Sequence, residues 1–172
     1  ERNYGLKYYW KSFNKLLLEA KKYETHTVIQ VDDDFILCDS FINRLMDKFF
    51  ELKEKDNSYM AIRYHAGKLD IDHVNDDYFN SNKRFQGIDG GSLFDDNFLK
   101  LINYEIENLT NTAGNTGSGV WHYLNNKIRN LGVLVYTMRE SLAFHNGNND
   151  SKMHPYIRNK RNLYTLNFID NE

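Results

Sequence analysis

The stretch Thr27–Asp34, with the sequence TVIQVDDD, decides how this chain is expected to fold. Five residues of high strand propensity end in three carboxylates, which predicts a buried strand of an α/β sheet with acids at its C-terminal end. Open α/β sheets bind their ligands at that edge. Because adjacent carboxylates repel one another, a hard divalent cation that prefers oxygen ligands would stabilise them.

The three acids differ in the direction expected for their side chains. Side chains alternate along a strand, so Asp32 and Asp34 are expected on one side and Asp33 on the other. The alternative is a solvated acidic turn in which Asp39 or Ser40 only caps the next helix. The position of the acids at the end of an apolar strand favours a functional pair at Asp32 and Asp34.

The composition indicates a single soluble domain. The chain has 172 residues, of which 41% are hydrophobic and 15% aromatic, enough for a proper core. The net charge of −2 provides no general attraction for nucleic acid. A single cysteine, Cys38, excludes an internal disulfide and fits a reducing, cytoplasmic compartment, where it is expected as a small buried apolar residue. No apolar run approaches the length of a membrane span.

Helix and strand patterns alternate along the first half of the chain. Apolar residues recur every three and four positions from Leu6 to Lys22, and again through Leu52 after a cap at Ser40 or Asp39. With strands Thr27–Val31 and Tyr59–Tyr64, this αβαβ order predicts an α/β fold with a mixed, mostly parallel sheet and helices on both faces. The further expected elements are a helix through Ile106, a helix from Val120 that Gly132 ends, strands Val133–Met138 and Ser141–Phe144, and a closing helix after Tyr156.

A glycine-rich segment lies in the middle of the chain, from Gly87 to Ser92. Its glycines, Gly90 and Gly91 among them, flank Asp89 and indicate a backbone that approaches a ligand closely, although a sharp turn into a strand fits equally well. Asp95 and Asp96 follow at the start of a helix, where acids suit the helix dipole, and capping is the favoured role for both.

The order of these segments resembles that of the nucleotide-sugar glycosyltransferases of the GT-A fold, in particular those similar to family 2. The resemblance rests on Asn3-Tyr-Gly5 before a helix, Asp32-Asp33-Asp34 in place of the DXD motif, the segment Gly87–Ser92, and a late histidine, His145. It covers nearly all of the chain, and the DXD context is its most specific part. A GT-A (Rossmann-like) fold is therefore expected.

The resemblance implies a metal-dependent enzyme that moves a sugar from a nucleoside-diphosphate sugar, with a UDP-sugar expected, to an acceptor. That acceptor would be a glycan, a lipid, a protein or a modified nucleic-acid base. By the resemblance, Asp32, Asp34 and His145 would ligate Mn²⁺ or Mg²⁺. The donor would contact Asp32, Asp33, Gly90 and Gly91, and Lys152 would neutralise its diphosphate.

Two features depart from the family pattern. Family members carry an acid, usually the general base, at the start of the helix that here opens with the sequence TGSGVW from Thr116. Asp89, Asp95 or Asp96 would have to substitute as the catalytic residue, or the enzyme retains configuration, or it is inactive. The family also places its first strands before the Asn3-Tyr-Gly5 element, so residues 1–172 are expected to form one domain that is the later, larger part of a GT-A unit.

Two alternatives belong to other functional classes. A phosphatase of the haloacid dehalogenase type also ends a strand in Asp-x-Asp, and Asp95-Asp96 would then be its second acidic pair. A glycosyltransferase-like domain without its base would instead bind a glycan or a partner. Release of nucleotide from a panel of sugar donors distinguishes the three.

Overall fold

The computed structural model describes residues 9–23, 27–32, 35–65, 79–80, 88, 90–109, 118–138, 140–145 and 168. Within them the helices are α1 (Tyr9–Lys22), α2 (Phe41–Lys55), α3 (Asp96–Leu101) and α4 (Ser118–Leu131). The strands are β1 (Thr27–Gln30), β2 (Phe35–Leu37), β3 (Tyr59–Arg63), β4 (Phe79–Asn80), β5 (Ser92–Asp95), β6 (Leu134–Thr137) and β7 (Ala143–His145). In this part of the chain, no helix combines the length and the apolar character needed to cross a membrane. The closing helix expected after Tyr156 lies outside the described residues.

The main sheet has the strand order β1-β5-β3-β6-β4. Strand β5 lies between β1 and β3 and is antiparallel to both, β6 is parallel to β3, and the two-residue β4 is antiparallel to β6. The fold is therefore mixed α/β as expected, but the prediction of a mostly parallel sheet is wrong for the described strands. Among the described strands of the main sheet, β3 and β6 form the one parallel pair.

The direction of β5 has a local cause. The backbone N–H of Tyr64, just past the end of β3, donates to the carbonyl of Gly91, just before the start of β5, at 3.1 Å. The chain thus enters β5 at the edge where β3 ends and has to run back along it. An alternating pattern of helices and strands does not contain this information, because a parallel strand requires the chain to cross back first.

Helices cover both faces of the sheet, as the sequence predicts. Since neighbouring residues of a strand point to opposite faces, β1, β3, β5 and β6 each contribute to two cores. The core under α1, α3 and α4 contains Phe13, Leu17, Ala61, Phe94, Phe98, Leu124, Ile128 and Val135, with Val28 against it. The core under α2 contains Phe41, Leu45, Phe49, Leu52, Ile62, Leu93 and Tyr136, with Ile29 against it.

Aromatic contacts fix the helices of the first core. The ring of Phe13 on α1 meets Phe94 of β5 edge-on at 6.4 Å and Trp121 of α4 edge-on at 5.4 Å between ring centroids. Such pairs stabilise by roughly 0.5–1.5 kcal/mol beyond the area that they bury. Trp10 also packs against this core.

Helix ends match the sequence expectation at one place and differ at two. Gly132 ends α4 with φ +66°, as predicted for a C-terminal glycine. The helix at Asp96 ends at Leu101 rather than Ile106, because Asn103 and Tyr104 adopt left-handed φ values of 55° and 56°. Ser40 precedes α2 with φ 55° and makes no side-chain capping bond, so its expected role as a cap is wrong.

A second, two-stranded sheet joins distant parts of the chain. Strand β2, which follows the acids, pairs antiparallel with β7, and the register sets Phe35 opposite His145. The N–H of Cys38 extends this pairing by donating to the carbonyl of Leu142 at 2.9 Å. Cys38 is buried, as expected from the sequence.

Gly132 offers a test of the helix end. A Cβ at this position would have no atom within 4 Å, so substitution costs only the backbone strain of the left-handed conformation. Gly132→Ala should lower the free energy of unfolding by about 1 kcal/mol. Gly132→Asn, the matched control, should lower it less, because asparagine tolerates this conformation. Equal losses in urea denaturation would contradict the assignment.

Candidate site at the acidic edge of the sheet

Strands β1 and β3 end, and β5 begins, at one edge of the main sheet, which we call the acidic edge. Asp32 follows β1, His65 follows β3, and Gly90 and Gly91 lead into β5 between them. A Cβ at Gly90 would overlap the Asp32 carboxylate, and a Cβ at Gly91 would overlap the His65 imidazole. The two glycines therefore let an acid and a histidine approach the backbone of β5 from opposite sides.

The chain turns at the acids instead of continuing as a strand. The N–H of Phe35 donates to the carbonyl of Asp32 at 3.3 Å, a bond that extended backbone cannot form across three residues. The alternation expected for Asp32 and Asp34 stays a prediction, because Asp34 lies outside the described residues. The Asp32 side chain accepts a bond of 3.1 Å from the amide of Gln30.

Tyr64 connects the strands that meet at the acidic edge. Its side chain is fully buried, and its hydroxyl donates to the carbonyl of Gln30 in β1 at 2.6 Å. Its backbone N–H donates to Gly91, and its carbonyl accepts from Leu142 at 2.9 Å. One residue thus fixes the ends of β1 and β3, the start of β5 and the segment before β7.

Phe35 brings the second sheet to the same place. Its ring centroid lies 4.9 Å from that of His65, and a Cβ at Gly91 would lie 3.1 Å from its Cζ. Because the backbone of Phe35 pairs with His145, the segments that contain the acids and the late histidine are neighbours. The structure therefore brings Asp32, Gly90, Gly91 and the backbone of His145 together.

A side-chain amide holds the segment before the glycines. Asn125 of α4 accepts from the N–H of Ile88 at 2.8 Å and donates to the Ile88 carbonyl at 3.0 Å. Asn14 of α1 makes the same two-bond contact with Ile106, at 2.7 and 2.9 Å. Each asparagine satisfies both backbone polar groups of one residue, as a neighbouring strand would.

Asp95 and Asp96 lie at the opposite edge of the sheet. Asp95 pairs with Thr27 at the start of β1, and its side chain accepts from the N–H of Asn97 and forms an ion pair with Lys53. Asp96, in the first turn of α3, forms an ion pair with Lys100 in the last turn. The length of β1 separates both acids from Asp32, so the structure does not support their assignment as catalytic residues there. The capping role favoured by the sequence is confirmed for Asp95.

Four of the predicted site residues, Asp33, Asp34, Asp89 and Lys152, lie outside the described residues. Among the residues that are described, no group of three or more His, Cys, Asp or Glu side chains is arranged to hold a metal ion. The metal expected at Asp32, Asp34 and His145 stays a prediction.

Sequence reasoning missed two residues at the acidic edge. Arg63 is the last residue of β3, and its guanidinium Nη2 lies 3.5 Å from Nε2 of His65. His65 follows this strand and is buried. The available signal was an arginine and a histidine two positions apart at the end of an apolar strand, the same arrangement that drew attention to the acids.

Comparisons with protein-family models, with curated proteins and with solved structures found no match to this chain.

The two glycines should respond differently to alanine. At Gly90 the new methyl group meets the end of the Asp32 side chain, which can turn away, so Gly90→Ala should cost less than about 1 kcal/mol of unfolding free energy. At Gly91 it meets the buried His65 ring and Phe35, so Gly91→Ala should cost about 2–3 kcal/mol. Urea denaturation measures both, and a larger loss at Gly90 would contradict this geometry.

The two asparagine contacts form a matched pair for a second test. Asn125→Asp and Asn14→Asp each remove one donor to a backbone carbonyl, and both should cost about 1–3 kcal/mol of unfolding free energy. Only Asn125→Asp should loosen Gly91 and therefore speed hydrogen exchange of the Tyr64 amide beyond the change in global stability. Equal acceleration in the two variants would show that Asn125 has no special effect on the acidic edge.

Proposed function

We propose that this chain is a metal-dependent glycosyltransferase of the GT-A type, which transfers a sugar from a nucleoside-diphosphate sugar to an acceptor. The observation that supports this most directly is the register of β2 with β7, in which Phe35 lies opposite His145. Asp34 directly precedes Phe35 in the sequence. In the proposal, residues 32–34 and His145, far apart along the chain, hold the same ion.

The residues at the acidic edge fit a hard divalent cation. Carboxylate oxygens are the ligands preferred by Mg²⁺ and Mn²⁺, and Mn²⁺ also accepts imidazole. In the proposal Asp32, Asp34 and His145 hold the ion. When bound, the ion neutralises the charge that develops on the leaving diphosphate.

The remaining residues have roles in binding the donor. In the proposal Gly90 and Gly91 belong to the donor site because they let the Asp32 carboxylate and the His65 ring lie against the backbone that leads into β5. Asp33 and Lys152 complete the donor contacts, with Lys152 at the diphosphate. Asp89, next to Gly90 in the sequence, is the remaining candidate for the base that accepts the acceptor's proton, because Asp95 and Asp96 lie at the other edge.

The geometry gives less support to a phosphatase of the haloacid dehalogenase type. In that reading Asp95 and Asp96 would join the first acids around one Mg²⁺. They instead lie at the opposite edge, where Lys53 and Lys100 pair with them. The other alternative is a glycosyltransferase-like domain that binds a glycan or a partner without transferring a sugar. The experiments below distinguish it from the enzyme.

The test is release of nucleotide from a panel of nucleoside-diphosphate sugars with Mn²⁺ or Mg²⁺, UDP-sugars first. Asp34→Asn should abolish release while the free energy of unfolding without metal holds or rises, because one repelling charge is removed. Asp47→Asn, at an exposed position on α2, is the matched control and should leave release unchanged. Full release by Asp34→Asn would overturn the metal role.

His145 is tested by metal binding. A histidine ligand has to be neutral, so Mn²⁺ affinity should fall as the pH drops through the range in which imidazole protonates. His145→Ala should weaken binding about tenfold or more and remove much of that pH dependence. The same affinity for both proteins in calorimetry would refute the assignment. Metal and donor binding without any release would instead indicate the binding domain.

A further inference from the structure

A row of polar residues crosses the sheet just below the acidic edge. On the face covered by α1, α3 and α4, the paired residues Val28, Phe94, Ala61 and Val135 form an apolar row across β1, β5, β3 and β6. Two residues closer to the acidic edge, and therefore on the same face, the paired residues are Gln30, Ser92, Arg63 and Thr137. All four strands change from apolar to polar at the same level, which we call the polar row.

Burying this row has a cost in free energy. Ser92 and Thr137 are 0% and 3% exposed. Within the described residues, the hydroxyl of Thr137 has no hydrogen-bond partner. A buried hydroxyl without a partner costs about 1–3 kcal/mol, so packing alone would favour valine, which has the same shape, at this position. The stability of the core does not explain this threonine.

Arg63 connects the polar row to the acidic edge. It lies between Ser92 and Thr137 in the sheet, and its guanidinium reaches the imidazole of His65. His65 contacts Gly91, on the far side of β5 from Asp32. The acidic edge thus has the Asp32 carboxylate on the β1 side and the Arg63 guanidinium on the β3 side, with Gly90 and Gly91 between them.

The geometry points to Arg63, with the hydroxyls of Ser92 and Thr137 beside it, as a binding site for the phosphate groups of the ligand. A guanidinium forms two parallel hydrogen bonds to a phosphate, and hydroxyls supply further donors. A cation held by the acids and an anion held by Arg63 would be oppositely charged neighbours across the glycines. This inference rests on the proposed function and assigns to Arg63 phosphate contacts that the sequence suggested only for Lys152.

The probe is inorganic pyrophosphate, titrated by calorimetry into the whole chain with saturating Mn²⁺. Arg63→Met should weaken pyrophosphate binding at least about tenfold, the scale of one lost charge-assisted contact. Arg63→Lys keeps the charge but not the forked geometry, so its pyrophosphate affinity should lie between those of the unchanged protein and Arg63→Met. Arg129→Met is the matched control, because Arg129 is exposed in the last turn of α4, which leads to the start of β6 at the opposite edge. Arg129→Met should bind pyrophosphate with the affinity of the unchanged protein.

Thr137→Val keeps the inference testable where Arg63→Met fails to fold. Valine preserves the shape of the side chain and removes the hydroxyl, so the free energy of unfolding should hold or rise. Pyrophosphate affinity should still fall severalfold. In a second titration, the affinity for uridine diphosphate should fall by the same factor in Arg63→Met, because Arg63 would contact phosphate in both ligands. A loss confined to uridine diphosphate would overturn the assignment.

This inference and the proposed function fail in different ways. Pyrophosphate binding that depends on Arg63, in a protein that releases no nucleotide from any sugar donor, would support the phosphate site and refute the transferase. Nucleotide release by a protein whose pyrophosphate affinity does not change in Arg63→Met would support the transferase and refute this site. Failure of the unchanged protein to bind pyrophosphate with Mn²⁺ would also refute the site.

Discussion

The acidic edge depends on the hydrogen bond from the buried hydroxyl of Tyr64 to the carbonyl of Gln30. This bond joins β3 to β1 although β5 lies between them. The ring of Tyr64 meets Phe41 of α2 at 4.9 Å, so the same side chain also connects the edge to the second core. Its backbone fixes Gly91 on one side and Leu142 on the other. The positions of Asp32, the glycines and the β7 segment are therefore coupled through one residue.

The two edges of the sheet handle their acids differently. At the far edge Asp95 is almost fully buried, and its charge is balanced by Lys53 and by a helix N-terminus. Acids of that kind are satisfied within the fold. At the acidic edge three carboxylates follow one another in the sequence, and Arg63 lies at the end of β3, two strands away from β1. The far edge is therefore a structural end of the sheet, and the acidic edge is the candidate site.

Local sequence patterns predicted much of the fold and part of the site. Neighbouring residues determine α1, α2, the strand before the acids and the end of α4 at Gly132. The local pattern of apolar residues and glycine is therefore enough to predict them. The direction of β5 and the pairing of Phe35 with His145 depend on contacts between distant segments. Arg63 and Thr137 are single polar residues in apolar strands, and only the register shows that they belong to one row. Ser40 has the residue type of a cap but not the backbone conformation.

Cys38 gives the β2–β7 pairing a chemical readout. It is the one cysteine of the sequence, and its side chain is buried. Its N–H donates to the carbonyl of Leu142, directly beside the paired residues of β2 and β7. A thiol reagent can reach its sulfur only when this small sheet or the adjoining core opens. The rate at which Cys38 is labelled therefore reports how often β2, which follows the acids, separates from β7, which contains His145. Ligands that bridge the two segments should slow it.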